Sequence, residues 1–136
     1  MRFLLASTGL GTFAALLAAP ASAETVISTA LTTPVLTGTA GDDIRISSTG
    51  SVKPTAGAAV TINSNDNVKN EGAIAIKGAN GSTGILANTG LTGNITNTGT
   101  IVIDEIYTPT DADSDGDIDG VFAQGTGRFG IHVLGG

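Results

Sequence analysis

The most distinctive spacing in this chain is a run of five aspartates near its C-terminal end. Each is separated from the next by one residue, and Gly116 lies inside the run. The five are Asp111, Asp113, Asp115, Asp117 and Asp119. Carboxylates two residues apart, followed by glycine, are typical of the first half of a calcium-binding loop. Ca²⁺ takes about six to eight oxygen ligands, and glycine allows the sharp turn that brings them together.

The loop pattern gives each aspartate an expected role. Asp111, Asp113 and Asp115 would ligate through their side chains. Asp117 would ligate through its backbone carbonyl, and Asp119 would ligate directly or through water. Five acids within nine residues repel one another unless a cation neutralises them. The sequence therefore predicts Ca²⁺ as the cofactor of this loop, with a solvated acidic loop as the alternative.

The second half of the calcium pattern is incomplete. A bidentate glutamate is expected at the twelfth place of such a loop, but Phe122 stands there. No acidic residue follows Asp119, so a closing ligand has to come from elsewhere. Asp104 and Glu105 are the candidates.

The segments that must position this loop are repeats. Residues 67–76 read NVKNEGAIAI, and residues 94–103 read NITNTGTIVI. A weaker copy, residues 45–54, keeps Ile46 at the apolar place of Val68 and keeps the central glycine. The three glycines are 22 and 27 residues apart. A period of about 20–30 residues with strand-like alternation indicates a solenoid.

Alternation within the repeats predicts the core and the corners of that solenoid. Ile74 and Ile76 fall on one face, and Ile101 and Ile103 repeat the pattern one period later. Corner asparagines one period apart are expected to stack as amide ladders, although they also suit ordinary turns. The two expected pairs are Asn67 with Asn94 and Asn70 with Asn97. Gly72 and Gly99 are expected at corners that a side chain would obstruct.

Two segments fall outside the repeat. Glu24 to Thr33 is a short polar stretch before the first strand pattern, which we expect near Ile44. A last strand is expected at 127–133, where Phe129, Ile131 and Val133 alternate. The spacing from the last repeat to this strand is about 19 residues too long. We assign the surplus to an inserted acidic loop, residues 104–124.

Residues 1–23 have the layout of a secretory signal peptide. Arg2 supplies the positive start, residues 3–19 are mostly apolar, and Ala21-Ser22-Ala23 is a small-residue cleavage triplet. The apolar run is short for a membrane span of about 20 residues. Cleavage is therefore expected before Glu24, and no later stretch is long and apolar enough for a transmembrane helix.

The composition of residues 24–136 narrows the function classes. Twelve acidic and five basic residues remain, a net charge of −7, and no basic patch for nucleic acid is visible. The chain has no cysteine and therefore no disulfides. His132 is the one histidine, and no serine or aspartate is marked as its partner. We therefore expect a protein that is not an enzyme.

Three features together resemble a known family: the signal peptide, the NxGxI turns at 70–74 and 97–101, and the stretch from Asp111 to Gly136. They look like the N-terminal passenger region of autotransporters, which Gram-negative bacteria secrete. The resemblance implies an all-β fold, a right-handed parallel β-helix, over residues 24–136. It also implies export through the periplasm and an outer-membrane barrel in the parent protein as partner. No barrel-type strands are visible here, so we expect a partial β-helix.

The resemblance implies a function as well. Such a passenger would be displayed at the cell surface or released, and would serve adhesion or another surface interaction with a ligand that the sequence does not name. Parallel β-helices also carry polysaccharide-active enzymes, whose acidic residues lie along one sheet. A free-standing, calcium-dependent secreted adhesive module is the third alternative. The position of the acidic run relative to any groove distinguishes these alternatives.

Overall fold

The computed structural model describes residues 23–106, 110–120 and 125–135. The chain is an all-β parallel β-solenoid, which confirms the predicted fold class. The signal-peptide prediction falls on residues 1–23, and residues 1–22 lie outside the described residues. Residues 107–109 and 121–124 of the predicted insertion also lie outside them.

Twelve described strands form three parallel four-stranded sheets. Sheet A contains β1 (Thr25–Ile27), β4 (Ile44–Ile46), β7 (Val68–Asn70) and β10 (Ile95–Asn97). Sheet B contains β2 (Ala30–Leu31), β5 (Ser51–Val52), β8 (Ala73–Lys77) and β11 (Thr100–Asp104). Sheet C contains β3 (Val35–Leu36), β6 (Ala58–Ile62), β9 (Thr83–Ala87) and β12 (Phe129–Val133). Each set of three consecutive strands is one rung of the solenoid.

The register places equivalent residues of successive rungs beside one another. In sheet B, Ile74 pairs with Ile101 and Ile76 pairs with Ile103. In sheet C, Ile85 pairs with Val60 on one side and with Ile131 on the other. The stacking predicted from the repeat is therefore confirmed in sheet B, and sheet C stacks in the same way.

The core is a column of branched aliphatic side chains inside the three sheets. Ile74 and Ile76 are completely or almost completely buried, as the alternation predicted. Burying one such side chain contributes about 2 kcal/mol, and no rung can bury its own row without a neighbour. The large apolar side chains that are fully buried are Ile44, Ile46, Ile62, Ile74, Ile76, Ile85, Val52, Val60 and Val68.

Glycine is required at one corner of the solenoid because successive rungs approach closely there. A Cβ added at Gly72 would overlap the carbonyl oxygens of Gly50 and Ser47. A Cβ added at Gly99 would overlap the carbonyl oxygen of Gly72. None of these glycines has a positive φ, so space rather than backbone conformation excludes a side chain. The prediction of an obstructed corner is confirmed.

Both predicted asparagine ladders are present. Asn70 is fully buried, and its Nδ2 donates to Asn97 Oδ1 (2.7 Å) and to the Thr100 carbonyl (3.2 Å). Asn94 donates its backbone N–H (2.9 Å) and its Nδ2 (3.1 Å) to Asn67 Oδ1. Asn67 donates the same two groups to the Asp43 carboxylate one rung earlier. The bonds of Asn70 satisfy a buried amide that would be costly to leave unpaired.

The weak third repeat is displaced from its predicted alignment. The predicted alignment is correct for the residues after Gly50, since Val52 pairs with Ile74. On the other side, however, Ile44 rather than Ile46 pairs with Val68. The corner between β4 and β5 is two residues longer than the corner between β7 and β8, because Ile46 rather than Ser48 pairs with Asn70. An alignment of the three repeats without a gap therefore shifts β4 by two residues, whereas the two extra residues lie in the corner after β4.

The polar stretch from Glu24 to Thr33 is not a lead-in to the fold but part of the first rung. It contains β1 and β2, which pair in parallel with β4 and β5. These strands are only three and two residues long, and their corner contains Ser28 and Thr29 instead of glycine. In the described part of the chain, β1 and β2 are the outermost strands of their sheets, so no earlier rung obstructs a side chain at that corner.

One helical turn, α1 (Thr37–Ala40), connects the first rung to the second and was not predicted. It ends at Gly41, which has a positive φ of 73°. Asn63 of the next rung accepts a hydrogen bond from the Gly38 N–H on its Oδ1 (2.7 Å). In the described part of the chain, no helix has the length and apolarity required to cross a membrane.

The last described rung leaves its inner row partly uncovered. Ile131 is 44% exposed, although its register partner Ile85 is completely buried. Phe129 and Val133 are 42% and 58% exposed. Because these residues lie in register with the core, their exposure arises from their position at the edge of the described sheet.

We expect Gly72→Ala to lower the free energy of unfolding by about 3 kcal/mol, because the new methyl group would overlap two carbonyl oxygens of the preceding rung. Gly130→Ala is the matched control. It adds the same methyl group in β12, where the nearest atom is 3.9 Å away, and should change stability by less than about 0.5 kcal/mol. Urea denaturation followed by circular dichroism measures both. Equal shifts in the two variants would contradict the corner assignment.

Candidate metal centre in the acidic loop

The acidic loop leaves the solenoid between two neighbouring sheets. β11 ends at Asp104, β12 begins at Phe129, and the connection between them carries the five aspartates. At the base of the connection, Arg128 forms an ion pair of 3.0 Å with Glu105. Both side chains are mostly buried, at 14% and 19% exposure, so solvent screens this pair less than a surface pair. The ion pair therefore holds the two ends of the connection together.

The same arginine fixes the base of the loop to the preceding rung. Arg128 Nε donates to the Ala79 carbonyl (3.1 Å), and its terminal nitrogen donates to Asn80 Oδ1 (3.3 Å). The Thr126 N–H also donates to Asn80 Oδ1 (3.1 Å). Sequence analysis missed Arg128, because its partners lie 49 and 48 residues away and no local spacing marks them.

Glu105 was a candidate closing ligand for calcium, and the structure gives it other partners. Besides the ion pair with Arg128, its Oε1 accepts a hydrogen bond from the Gly125 N–H (3.0 Å). Asp104, the second candidate, accepts a hydrogen bond from the Glu105 N–H on its Oδ1 (2.8 Å). Both carboxylates therefore bond to the base of the connection.

A short antiparallel bridge closes the tip of the loop. Thr110 and Asp119 pair, and the Asp119 N–H donates to the Thr110 carbonyl (2.8 Å). The Asp119 carboxylate then accepts hydrogen bonds from the backbone N–H groups of Ala112 (2.8 Å) and Asp113 (3.4 Å). Asp119 thus folds the tip back on itself, and its role as a calcium ligand stays a prediction.

Three of the five predicted ligands converge. Asp111, Asp113 and Asp115 each place a carboxylate oxygen within 4.8 Å of the other two, and all three residues are exposed. Asp117 does not belong to this group of carboxylates, which is compatible with the prediction that it ligates through its carbonyl. Three hard oxygen donors at this separation suit Ca²⁺ in chemical type.

The turn between these carboxylates has the backbone conformation that the sequence implied. Gly116 has a φ of 96°, and Ser114 has a φ of 62°. The Gly116 N–H donates to Asp111 Oδ2 (3.1 Å), which draws the first aspartate over the turn. A glycine is favoured at this place because a φ in this range strains other residues.

Comparisons with protein-family models, curated proteins and solved structures give no match to this chain.

The five aspartates lie apart from the grooves of the solenoid. A groove of about 340 Å³ on the outer face of sheet B, the lysine groove, is lined by Lys53, Pro54, Thr55, Ala75 and Lys77. A second, of about 260 Å³, lies at the base of the acidic loop beside Arg128, and a third, of about 380 Å³, runs along Asn67 and Asn94. Among the described residues, none of the five aspartates lines any of these three grooves.

Several other titratable groups of the described chain have structural partners. Lys69 and, to a smaller extent, Arg45 donate to Glu71 and lower the pKa of its carboxyl group. Hydrogen bonds from Asn67 lower the pKa of Asp43 at the head of its ladder. His132 is half-buried and stacks on the Phe129 ring, with 4.2 Å between ring centroids. These contacts give Glu71, Asp43 and His132 structural roles in ion pairing, hydrogen bonding and packing.

We expect the loop to bind Ca²⁺ with a dissociation constant of about 10⁻⁴ to 10⁻³ M, as exposed sites in extracellular modules do. Asp113→Ala should weaken binding about tenfold, since it removes one of the three converging carboxylates. Asp117→Ala is the control, because it removes the same charge but leaves the carbonyl. Isothermal titration calorimetry measures the affinities. If no binding were detected at Ca²⁺ concentrations below about 5 mM, the proposed calcium site would be contradicted.

Proposed function

We propose that the chain is an exported scaffold of the autotransporter-passenger type, displayed at the cell surface or released, which serves adhesion or another surface interaction. In this proposal, stacked rungs form a stiff support and the acidic loop is the interacting part. An outer-membrane barrel of the parent protein would carry the passenger across the outer membrane.

The observation that carries this proposal is the way the acidic loop is attached. Its base is fixed by Glu105, Arg128 and Asn80, and its tip, residues 110–120, is almost entirely exposed. A rigidly anchored, solvent-exposed loop on a regular support suits presentation to a partner, because binding residues are commonly found on loops held by a rigid framework.

The alternative of a polysaccharide-active enzyme requires carboxylates along a groove, where a sugar chain could lie between an acid and a base. The five aspartates lie on an exposed loop and line none of the three grooves described above. Glu105 lines the second groove, and Glu24 and Asp43 line the third. These carboxylates, however, are bonded to Arg128, Arg45 and Asn67, respectively. This arrangement favours the scaffold over the enzyme.

A calcium-dependent adhesive module is a second candidate, favoured by the convergence of Asp111, Asp113 and Asp115. Bound Ca²⁺ would neutralise part of the repulsion within the loop and hold its tip in one conformation. The two candidates are compatible, since the same scaffold can present a loop that calcium orders.

We expect the chain, expressed from Met1 in a Gram-negative host, to leave the cytoplasm with Glu24 as its new N-terminal residue. Ala23→Leu should block processing, since cleavage requires a small residue at that place. Ser22→Leu, at the tolerant middle position of the triplet, is the matched control and should be processed normally. N-terminal sequencing and cell fractionation measure both. Equal processing of the two variants, or retention of Met1 in the wild type, would contradict export.

We expect cells that display the chain to attach to one another or to a surface, and expect attachment to fall to background when residues 110–120 are replaced by a glycine-serine linker. The replacement keeps Glu105 and Arg128, so the base and the rungs are retained. Chelation of calcium should have the same effect on the wild type. Sedimentation and surface-attachment assays measure the response. Unchanged attachment after the replacement would place the interacting surface elsewhere.

A further inference from the structure

Two lysines in the described part of the solenoid form no ion pair. Of the five basic residues in the described chain, three form ion pairs with carboxylates. These are Arg45 with Glu24 and Glu71, Lys69 with Glu71, and Arg128 with Glu105. Within the described residues, Lys53 and Lys77 form no ion pair. In a chain with more than twice as many acids as bases after residue 23, unpaired lysines are notable.

Both unpaired lysines line the lysine groove. Val52 pairs with Ile74, so Lys53 lies beside Ala75, and Lys77 follows two residues later along β8. Strand spacing and rise then place the two lysine Cα atoms roughly 8 Å apart on the outer face of sheet B. The two lysines produce a local positive potential in this groove, which the Asp104 carboxylate beside Lys77 reduces on the β11 side.

We propose that the lysine groove binds an anionic oligosaccharide, whose carboxylate or sulfate groups contact Lys53 and Lys77. The remaining lining residues, Pro54, Thr55 and Ala75, are small and offer apolar contact with one hydroxyl. Val102 lies in register with Ala75 and is 44% exposed, which extends the apolar floor beside the groove. The groove thus offers apolar contact to a sugar ring and charged contact to its acidic substituents.

The position of the groove disfavours other polyanions. An extended peptide would bind by adding a strand, which requires a free sheet edge. The groove lies on a face instead, where β8 is already hydrogen-bonded to β5 and to β11. Single-stranded nucleic acid favours aromatic stacking surfaces, and none of the described residues that line the groove is aromatic. An acidic sugar needs neither feature.

Asp104 limits where an anion can bind in the lysine groove. It pairs in register with Lys77 on the neighbouring strand, and it does not line the groove. Its carboxylate therefore repels an anion that approaches Lys77 from the β11 side. The ligand should lie toward Lys53, and removal of the Asp104 charge should strengthen binding.

The test is fluorescence anisotropy with the purified protein, in the presence of a calcium chelator so that the acidic loop does not contribute. The probes are labelled hexasaccharides of galacturonic acid and of heparin, with a neutral hexasaccharide and a glutamate hexapeptide as comparisons. At least one acidic sugar should bind, and its affinity should fall about tenfold in Lys53→Gln and in Lys77→Gln. Asp104→Asn should bind about threefold more tightly.

Lys69→Gln is the matched control, since it removes the same charge from an exposed, ion-paired lysine of sheet A, and its affinity should stay within about twofold of wild type. Urea midpoints would show that all variants remain folded. Four results would each overturn the proposal: no binding of either acidic sugar, an equal loss in the Lys69 variant, tighter binding of the peptide or neutral sugar, or no gain in Asp104→Asn. The inference is independent of export, because it concerns the purified chain.

Discussion

The structure depends on the close approach of successive backbones at one corner of the solenoid. Rungs stack at the spacing of neighbouring strands, about 4.8 Å, and at this corner the carbonyl oxygens of one rung lie where the Cβ of the next would be. Gly50, Gly72 and Gly99 satisfy this constraint in three consecutive rungs. Where the corners also have the same length, as in residues 67–76 and 94–103, the aliphatic rows and the asparagine amides lie over one another as well. One steric requirement therefore aligns both the apolar core and the polar ladders.

Sequence analysis predicted the parts of the fold that repeat with a constant length. The two copies at 67–76 and 94–103 have the same corner, so their strands, ladders and core residues followed directly from the alignment. The offset of β4 could not be predicted. Its copy of the repeat matches the others only weakly, so the sequence does not show where the two extra residues of the corner are inserted. The first rung was missed because its short strands, with a corner that lacks glycine, have no distinct pattern until β4 and β5 pair with them.

In the candidate site, too, features that depend on neighbouring residues could be predicted from the sequence, and features that depend on distant residues could not. The convergence of Asp111, Asp113 and Asp115 depends on a local turn, and the glycine within the run marked that turn. The anchoring of the loop by Arg128 depends on residues nearly fifty positions away, in a rung that the loop does not belong to. The convergence of the carboxylates could therefore be predicted from the sequence, whereas the contacts that hold the loop in place depend on the tertiary structure.

The partly uncovered inner row of the last described rung has a consequence for how the molecule opens. Each rung contacts only its neighbours, so the stability of a strand depends on how many covered sides it has. β8 and β9 are covered on both sides, whereas β11 and β12 each have one neighbour in the described sheets. Amide protons should therefore exchange with solvent in a gradient, fastest in the two outermost described rungs and slowest in the middle rungs, so that unfolding begins at the ends of the stack.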